Sequence, residues 1–286
     1  MWVIFAFGSA LFAGITAILA KIGIKNTDSN VATAIRTIVI LIFSWLMVFV
    51  VGSQNTIANI SSKTLTFLIL SGMATGGSWL CYFKALQLGN VNKVTPIDKS
   101  STILTILLAF VILGENFTIY KLIAVITIGA GTYFMITRKK DEVKNVEGNK
   151  WMIYAFLSAA FASLTSILGK IGIQGIESTL GTAIRTIVIL IMAWIVVFVT
   201  GNKNHVTKID KKSMAFICFS GITTGLSWLC YYKALQDGQA SIVVPIDKLS
   251  ILVTIAFSYL FLKEKLTRKS LFGLCLMVLG TLSLLI

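Results

Sequence analysis

The string TAIRTIVILI occupies residues 33–42 and recurs unchanged at residues 182–191. A shift of 149 residues lays the whole chain on itself without a gap, and roughly half of the aligned positions are identical. Lys21-Ile22-Gly23-Ile24 meets Lys170-Ile171-Gly172-Ile173, and Ser78-Trp79-Leu80-Cys81-Tyr82 meets Ser227-Trp228-Leu229-Cys230-Tyr231. Pro96-Ile97-Asp98-Lys99 meets Pro245-Ile246-Asp247-Lys248. The chain is an internal duplication, and its fold must be read as a repeated unit.

Each copy holds five apolar runs, at 2–24, 31–51, 64–88, 94–113 and 118–136, then at 151–173, 180–200, 213–237, 243–262 and 267–286. A membrane helix needs about 20 apolar residues to cross roughly 30 Å of hydrocarbon. These runs read as ten transmembrane helices. Asp28 or Ser29 is the expected N-cap of the second helix and Ser178 that of the seventh. Residues 138–150 form the one clearly polar stretch. The organisation is therefore a five-helix repeat over 1–137, a linker over 138–150 and a second five-helix repeat over 151–286. The first run has no Lys or Arg ahead of it, and its twin at 151–173 is internal, so it reads as a permanent helix rather than a signal.

Composition agrees. Of 286 residues 56% are hydrophobic, mean hydropathy is +0.89 and only 13% are charged. That charge content is about half the roughly 25% of soluble domains. A soluble enzyme, a disordered chain and a secreted disulfide scaffold are excluded. Cys81, Cys218, Cys230 and Cys275 fall inside apolar runs and read as small buried hydrophobes. The net charge of +14 does not point to nucleic acid, because much of it lies in short loops between apolar runs.

Five is odd, so the second copy enters the membrane from the side opposite to the first. The loop between helices two and three carries only Lys63, whereas its twin carries Lys203, Lys208, Lys211 and Lys212. The loop after helix four has Glu115 and Lys121, against Lys263, Glu264, Lys265, Arg268 and Lys269 in its twin. With both termini outside, the inner loops hold 15 Lys and Arg and the outer loops two. The charge rule predicts a plasma (inner) membrane protein with a cytoplasmic linker and two inverted repeats.

These residues resemble the EamA type of the drug/metabolite transporter superfamily, ten-helix carriers built from two five-helix repeats. The likeness covers nearly the whole chain. It is most specific from Pro96 through Leu113-Gly114-Glu115 to Gly131, and from Pro245 through Leu262-Lys263-Glu264 to Gly273 and Gly280. The Pro-Ile-Asp-Lys and Trp-Leu-Cys-Tyr sequences are similar to a subgroup that also occurs as single five-helix proteins. Two departures stand out. Lys263 replaces the usual glycine before Glu264, and carriers of this type are drawn with both termini inside, opposite to the charge count.

Ionisable groups inside spans are costly and mark function or snorkelling. Each copy has five: Lys21, Arg36, Lys84, Asp98 and Lys99, then Lys170, Arg185, Lys233, Asp247 and Lys248. Each set lies roughly 5–8 Å inside one face. Snorkelling accounts readily for Lys21 and Lys99. For Asp98 a pair with Arg36 or Lys84 is the expectation, because a carboxylate is too short to snorkel far. Trp79 and Trp228 lie near mid-span, and with Tyr82 and Tyr231 they can line a cavity or simply pack. Gly72-x-x-x-Gly76 permits close helix approach. Glu115 and Glu264, at the membrane edge, serve helix ends or gate contacts. His205 is alone in a loop.

The expected function is secondary active transport of a small metabolite by alternating access. Each cluster sums to +3, and no second carboxylate faces the midplane, so an anionic or zwitterionic cargo is favoured. The alternatives are a passive pore and an exporter of cationic drugs. No ATP motif, metal cluster or nucleophile with its base is present, so no enzyme, cofactor or metal is expected. The expected partners are the substrate, the lipid bilayer and a coupling proton or ion. A monomer suffices, and a dimer is compatible.

Overall fold

In the computed structural model the described residues are 1–24, 27–88, 97, 100–135, 150–201, 209–262 and 267–285, with the side chains of residues 21, 83, 86, 87, 135 and 258–262 outside the description. Every regular element among them is helical. The first copy supplies α1 (Trp2–Gly23), α2 (Ser29–Val51), α3 (Ser62–Leu88), α4 (Ser101–Leu113) and α5 (Ile119–Met135). The second supplies α6 (Lys150–Gly172), α7 (Ser178–Val199), α8 (Lys211–Asp237), α9 (Ala240–Lys248), α10 (Ser250–Leu262) and α11 (Arg268–Leu282). Short 3-10 turns follow α2 and α11.

Eight helical stretches among the described residues are long and apolar enough to cross a bilayer, with Ala240–Phe257 (α9 and the start of α10) and Arg268–Leu285 (α11 and its 3-10 turn) each counting as one. Ser101–Leu113 and Ile119–Phe134 are apolar but shorter, and the 13 residues of α4 reach about 20 Å. The expected run 94–113 lies partly outside the described residues. The expected run over 243–262 starts three residues earlier, at Ala240, and Ala240–Phe257 is still one apolar span, with its helical bonding interrupted at Leu249 between α9 and α10. Pro245 sits inside α9. Lacking an N–H, it cannot donate to the carbonyl one turn back, which weakens the helix just ahead of the break.

Caps fix several starts. Asp28 accepts from the backbone N–H groups of Asn30 and Val31 at 2.9 and 3.1 Å, as expected. At α7 the cap is Glu177, not Ser178: its carboxylate accepts from Thr179 and Leu180 N–H at 2.7 and 3.2 Å. Ser178 is the first helical residue, and its hydroxyl donates to Glu177. The longer acidic side chain reaches the free N–H groups and brings a full charge to the positive helix end.

The exterior is apolar and much of the interior is not. Phe49, Val50, Val111, Phe198, Val199 and Leu279 are exposed, while Ser9, Thr37, Ser71, Ser158, Thr182 and Thr186 are fully buried. Many of these hydroxyls are satisfied one turn back, as in Thr182 to Ser178 at 2.8 Å and Thr186 to Thr182 at 2.7 Å. Small hydroxyl residues let helices approach where lipid offers no hydrophobic drive between them.

Contacts between the copies come in pairs related by the 149-residue shift. Ser78 donates to the Ser158 carbonyl at 3.1 Å, and Ser227 donates to the Ser9 carbonyl at 3.1 Å. Gly72 lies against Val188 and Gly221 against Val39, where an added Cβ would come within 2.7 and 2.8 Å. Gly76 meets Met192 and Gly225 meets Phe43 in the same way. Accordingly α1 packs on α8 and α3 on α6, while α2 meets α7 and α5 meets α11. The core is thus built between copies more than within them.

Candidate functional site

α1, α3, α6, α7, α8 and α9 border a cavity of about 260 Å³. Trp79, Arg185, Trp228, Tyr231, Asp247 and Lys248, all expected from the sequence, line it. Thr75, Ser78, Thr165, Ser166, Ser227 and Tyr232 complete its polar wall.

Arg185 is the centre of this wall. It projects from the first turns of α7 and is only 1% exposed. Thr75 Oγ1 accepts from its Nη2 at 2.9 Å. The guanidinium carbon lies 4.4 Å from the Tyr232 ring centre and 5.4 Å from that of Trp228. Its Nε is buried without a hydrogen-bond partner, and no ion pair joins it to a carboxylate among the described residues. Aromatic faces thus carry much of the load of holding this cation. A planar guanidinium so placed keeps donors for a bidentate anion.

Opposite charge is present nearby but engaged elsewhere. Asp247 accepts from Ser9 Oγ at 2.5 Å and lies 4.0 Å from Lys248 Nζ. Tyr231 Oη shares a 2.8 Å hydrogen bond with Ser166 Oγ.

The other expected residues are dispersed. Lys170 lies at the far end of α6, bonded to the Gly238 carbonyl and 3.8 Å from Glu115. Lys233 pairs along its own helix with Asp237 at 3.2 Å. The second-copy set of five therefore does not gather at one place. At the cavity Arg185 and Lys248 against Asp247 give +1, not +3. In the first copy, Arg36 is half-buried with its Nε unpartnered and does not line the cavity. Tyr82 packs against the Ala85–Ala155 cluster, as do Ile97, Trp151 and Tyr154, and does not line the cavity. Lys84 is exposed on α3. Asp98, Lys99 and the Lys21 side chain lie outside the described residues, as do His205 and Glu264.

Sequence reasoning missed Thr75, Ser166 and Tyr232. The available signal was the difference between the copies: Tyr232 and Ser166 align with Phe83 and Ala17.

Comparison with known proteins places this geometry in context. The model of the EamA-like transporter family matches residues 1–137 and again 149–286. An uncharacterized transporter from the cobO 3′ region of Sinorhizobium is 42% identical over 134 residues, 47% of this chain and 95% of that protein. That relative has about the length of one copy. An uncharacterized transporter of Synechocystis is 24% identical over 232 residues, 77% of this chain and 63% of that protein. A crystal structure of a protein 13% identical in sequence shares the fold with a TM-score of 0.78, over 98% of this chain and 95% of that one.

Proposed function

This chain belongs to the EamA-like transporter family, and on that premise we propose that it is a secondary active carrier of a small anionic or zwitterionic metabolite, working by alternating access. In this reading ten spans form two inverted repeats, 1–137 and 151–286, joined by a cytoplasmic linker at 138–150 with both termini outside. The paired contacts between copies support a two-fold relation. The charge distribution of the loops supports the orientation.

One observation carries the substrate class: the buried Arg185, held by two rings and a hydroxyl and facing a cavity. A buried charge without a paired counter-charge is costly unless a partner arrives. A carboxylate entering the cavity supplies that partner, and the Trp79 and Trp228 faces give its apolar part a surface. Asp247 offers a place for an ammonium group, which admits amino acids as well as organic acids. A volume of about 260 Å³ lies at the small end of ligand cavities, which favours a metabolite over a drug-sized molecule.

A thermal-shift screen of purified protein tests this, since a ligand stabilises the state it binds. Organic acids or amino acids should raise the melting temperature in a saturable way, and Arg185→Gln should abolish the effect. Stabilisation confined to organic cations would overturn the proposal.

A further inference from the structure

A second hollow of about 550 Å³ lies between the ends of the helices that build the cavity. Its walls include Phe67 on α3, Lys170 on α6, Asp237 at the end of α8, and Gln239 just before α9. The cavity uses Thr75, Ser166, Tyr232 and Asp247 of those same helices. From Thr75 to Phe67 is eight residues, about 12 Å along the axis. The two hollows are therefore successive stations along one bundle of helices.

Between them the path is filled. Leu68, Ile167, Tyr232 and Leu235 are at most 1% exposed and belong to one packed cluster. Two glycines of α6 make the packing this close. A Cβ at Gly169 would lie 2.6 Å from the Tyr232 ring, and one at Gly172 would lie 2.9 Å from Leu68.

Beyond this apolar layer sits Glu115, at the turn from α4 to α5 and buried with its neighbours. Its carboxylate accepts from the N–H groups of Ala240 and Ser241 at 2.6 and 3.1 Å, and from the Ser241 hydroxyl. Lys121 and Lys170 stand 3.7 and 3.8 Å away. Lys121 also donates to Gln239 at 2.8 Å. A first-copy carboxylate thus holds the start of α9 and the end of α6, both from the second copy. The same face holds both chain termini: Trp2 packs on Gly238, and Ile242 packs with Leu284.

We propose that Glu115 is the closing residue of a two-layer gate on the face that carries the termini. The Leu68–Ile167–Tyr232–Leu235 layer blocks the path, and Glu115 locks the copies together across it. The inference rests on the alternating-access reading but not on the charge of the cargo. Opening separates the α4–α5 turn from α6 and α9, and each separated charge then gains water in place of its partner. Such an element has two discrete arrangements and no stable halfway point. The copies are unequal here. Where this gate has Lys121, Gly169 and Tyr232, the aligned residues are Ser270, Ala20 and Phe83. On the Glu115 side the described residues are closed: Lys121 and Lys170 flank the carboxylate, and Gly169 and Gly172 let Tyr232 and Leu68 fill the path.

Accessibility of a cavity cysteine tests the gate without reference to substrate. The four native cysteines are replaced by serine, and Ala162→Cys on the cavity wall is labelled with a membrane-impermeant maleimide from each face of oriented vesicles. The expected result is labelling mainly from the linker face. Glu115→Gln should raise the rate from the terminus face at least tenfold, with Glu115→Asp in between and Lys121→Gln moving in the same direction. Wild-type rates from that face in both Glu115→Gln and Lys121→Gln would overturn the gate. Lys121→Gln keeps the test open if the Glu115 variant does not fold. Equally fast labelling from both faces without any gate substitution would contradict the carrier reading itself.

Discussion

The guanidinium of Arg185 lies 4.4 Å from the ring centre of Tyr232, and both side chains are buried to within 1% of completely. The ring sits where the first copy has Phe83. Stacking needs the aromatic face and not the phenol oxygen. Tyr232→Phe should therefore retain most carboxylate binding. Tyr232→Ala should destabilise the protein by about 3–5 kcal/mol, as expected for emptying a buried aromatic site. Arg185→Lys should weaken carboxylate binding at least tenfold, about 1.4 kcal/mol, because a lysine neither forks nor stacks as a guanidinium does. Isothermal titration and thermal melts of the three variants check this.

The paired glycines give a prediction that depends on the duplication. Gly72→Val and Gly221→Val each push a side chain into a valine of the other copy, Val188 and Val39. Overpacking of this kind costs about 1–3 kcal/mol. The two variants should lose similar amounts in a detergent melt. A large loss for one with none for the other would mean that the copies do not share this contact in solution.

How much of this was legible beforehand follows from what repetition encodes. The string at 33–42 and its twin at 182–191 mark the duplication, and apolar length gives most helix bounds among the described residues to within a few residues, the interruption at Leu249 excepted. What stayed hidden was assembly. A helical run of apolar residues looks alike on every face, so nothing in it says that α3 packs on α6 of the other copy. Trp79 and Trp228 stand out in the sequence because Trp at mid-span, away from the interfacial belt, is unusual. Depth in the membrane groups Lys170 and Lys233 with Arg185, but depth leaves direction around the helix open. Lys170 points to Glu115 and Lys233 to Asp237. The break at Leu249 carried a signal in Pro245, displaced from the break itself by four residues.

Asp247 separates two kinds of cargo. If its carboxylate receives an ammonium group, Asp247→Asn should weaken amino acids at least tenfold and leave simple organic acids within about twofold. Ser9→Ala, which removes the 2.5 Å donor to that carboxylate, should alter both classes less. Competition binding with one acid and one amino acid of equal size reads the difference.

Orientation is tested with single cysteines at Asn145 and at the C-terminus. The excess of basic residues in the linker and in its companion loops predicts that an impermeant thiol reagent labels the terminus in intact cells and leaves Asn145 untouched. Labelling of Asn145 with protection of the terminus would reverse the orientation, and with it the side on which the Glu115 gate lies.

In the function proposed here the Arg185 cavity binds a carboxylate and carries it across the bilayer. The most direct measurement is counterflow of radiolabelled organic acids and amino acids in liposomes holding the purified protein. The expected result is saturable exchange that unlabelled carboxylates inhibit, quaternary ammonium compounds do not, and Arg185→Gln removes. Exchange inhibited by quaternary ammonium compounds and by no carboxylate, or exchange undiminished in Arg185→Gln, would contradict it.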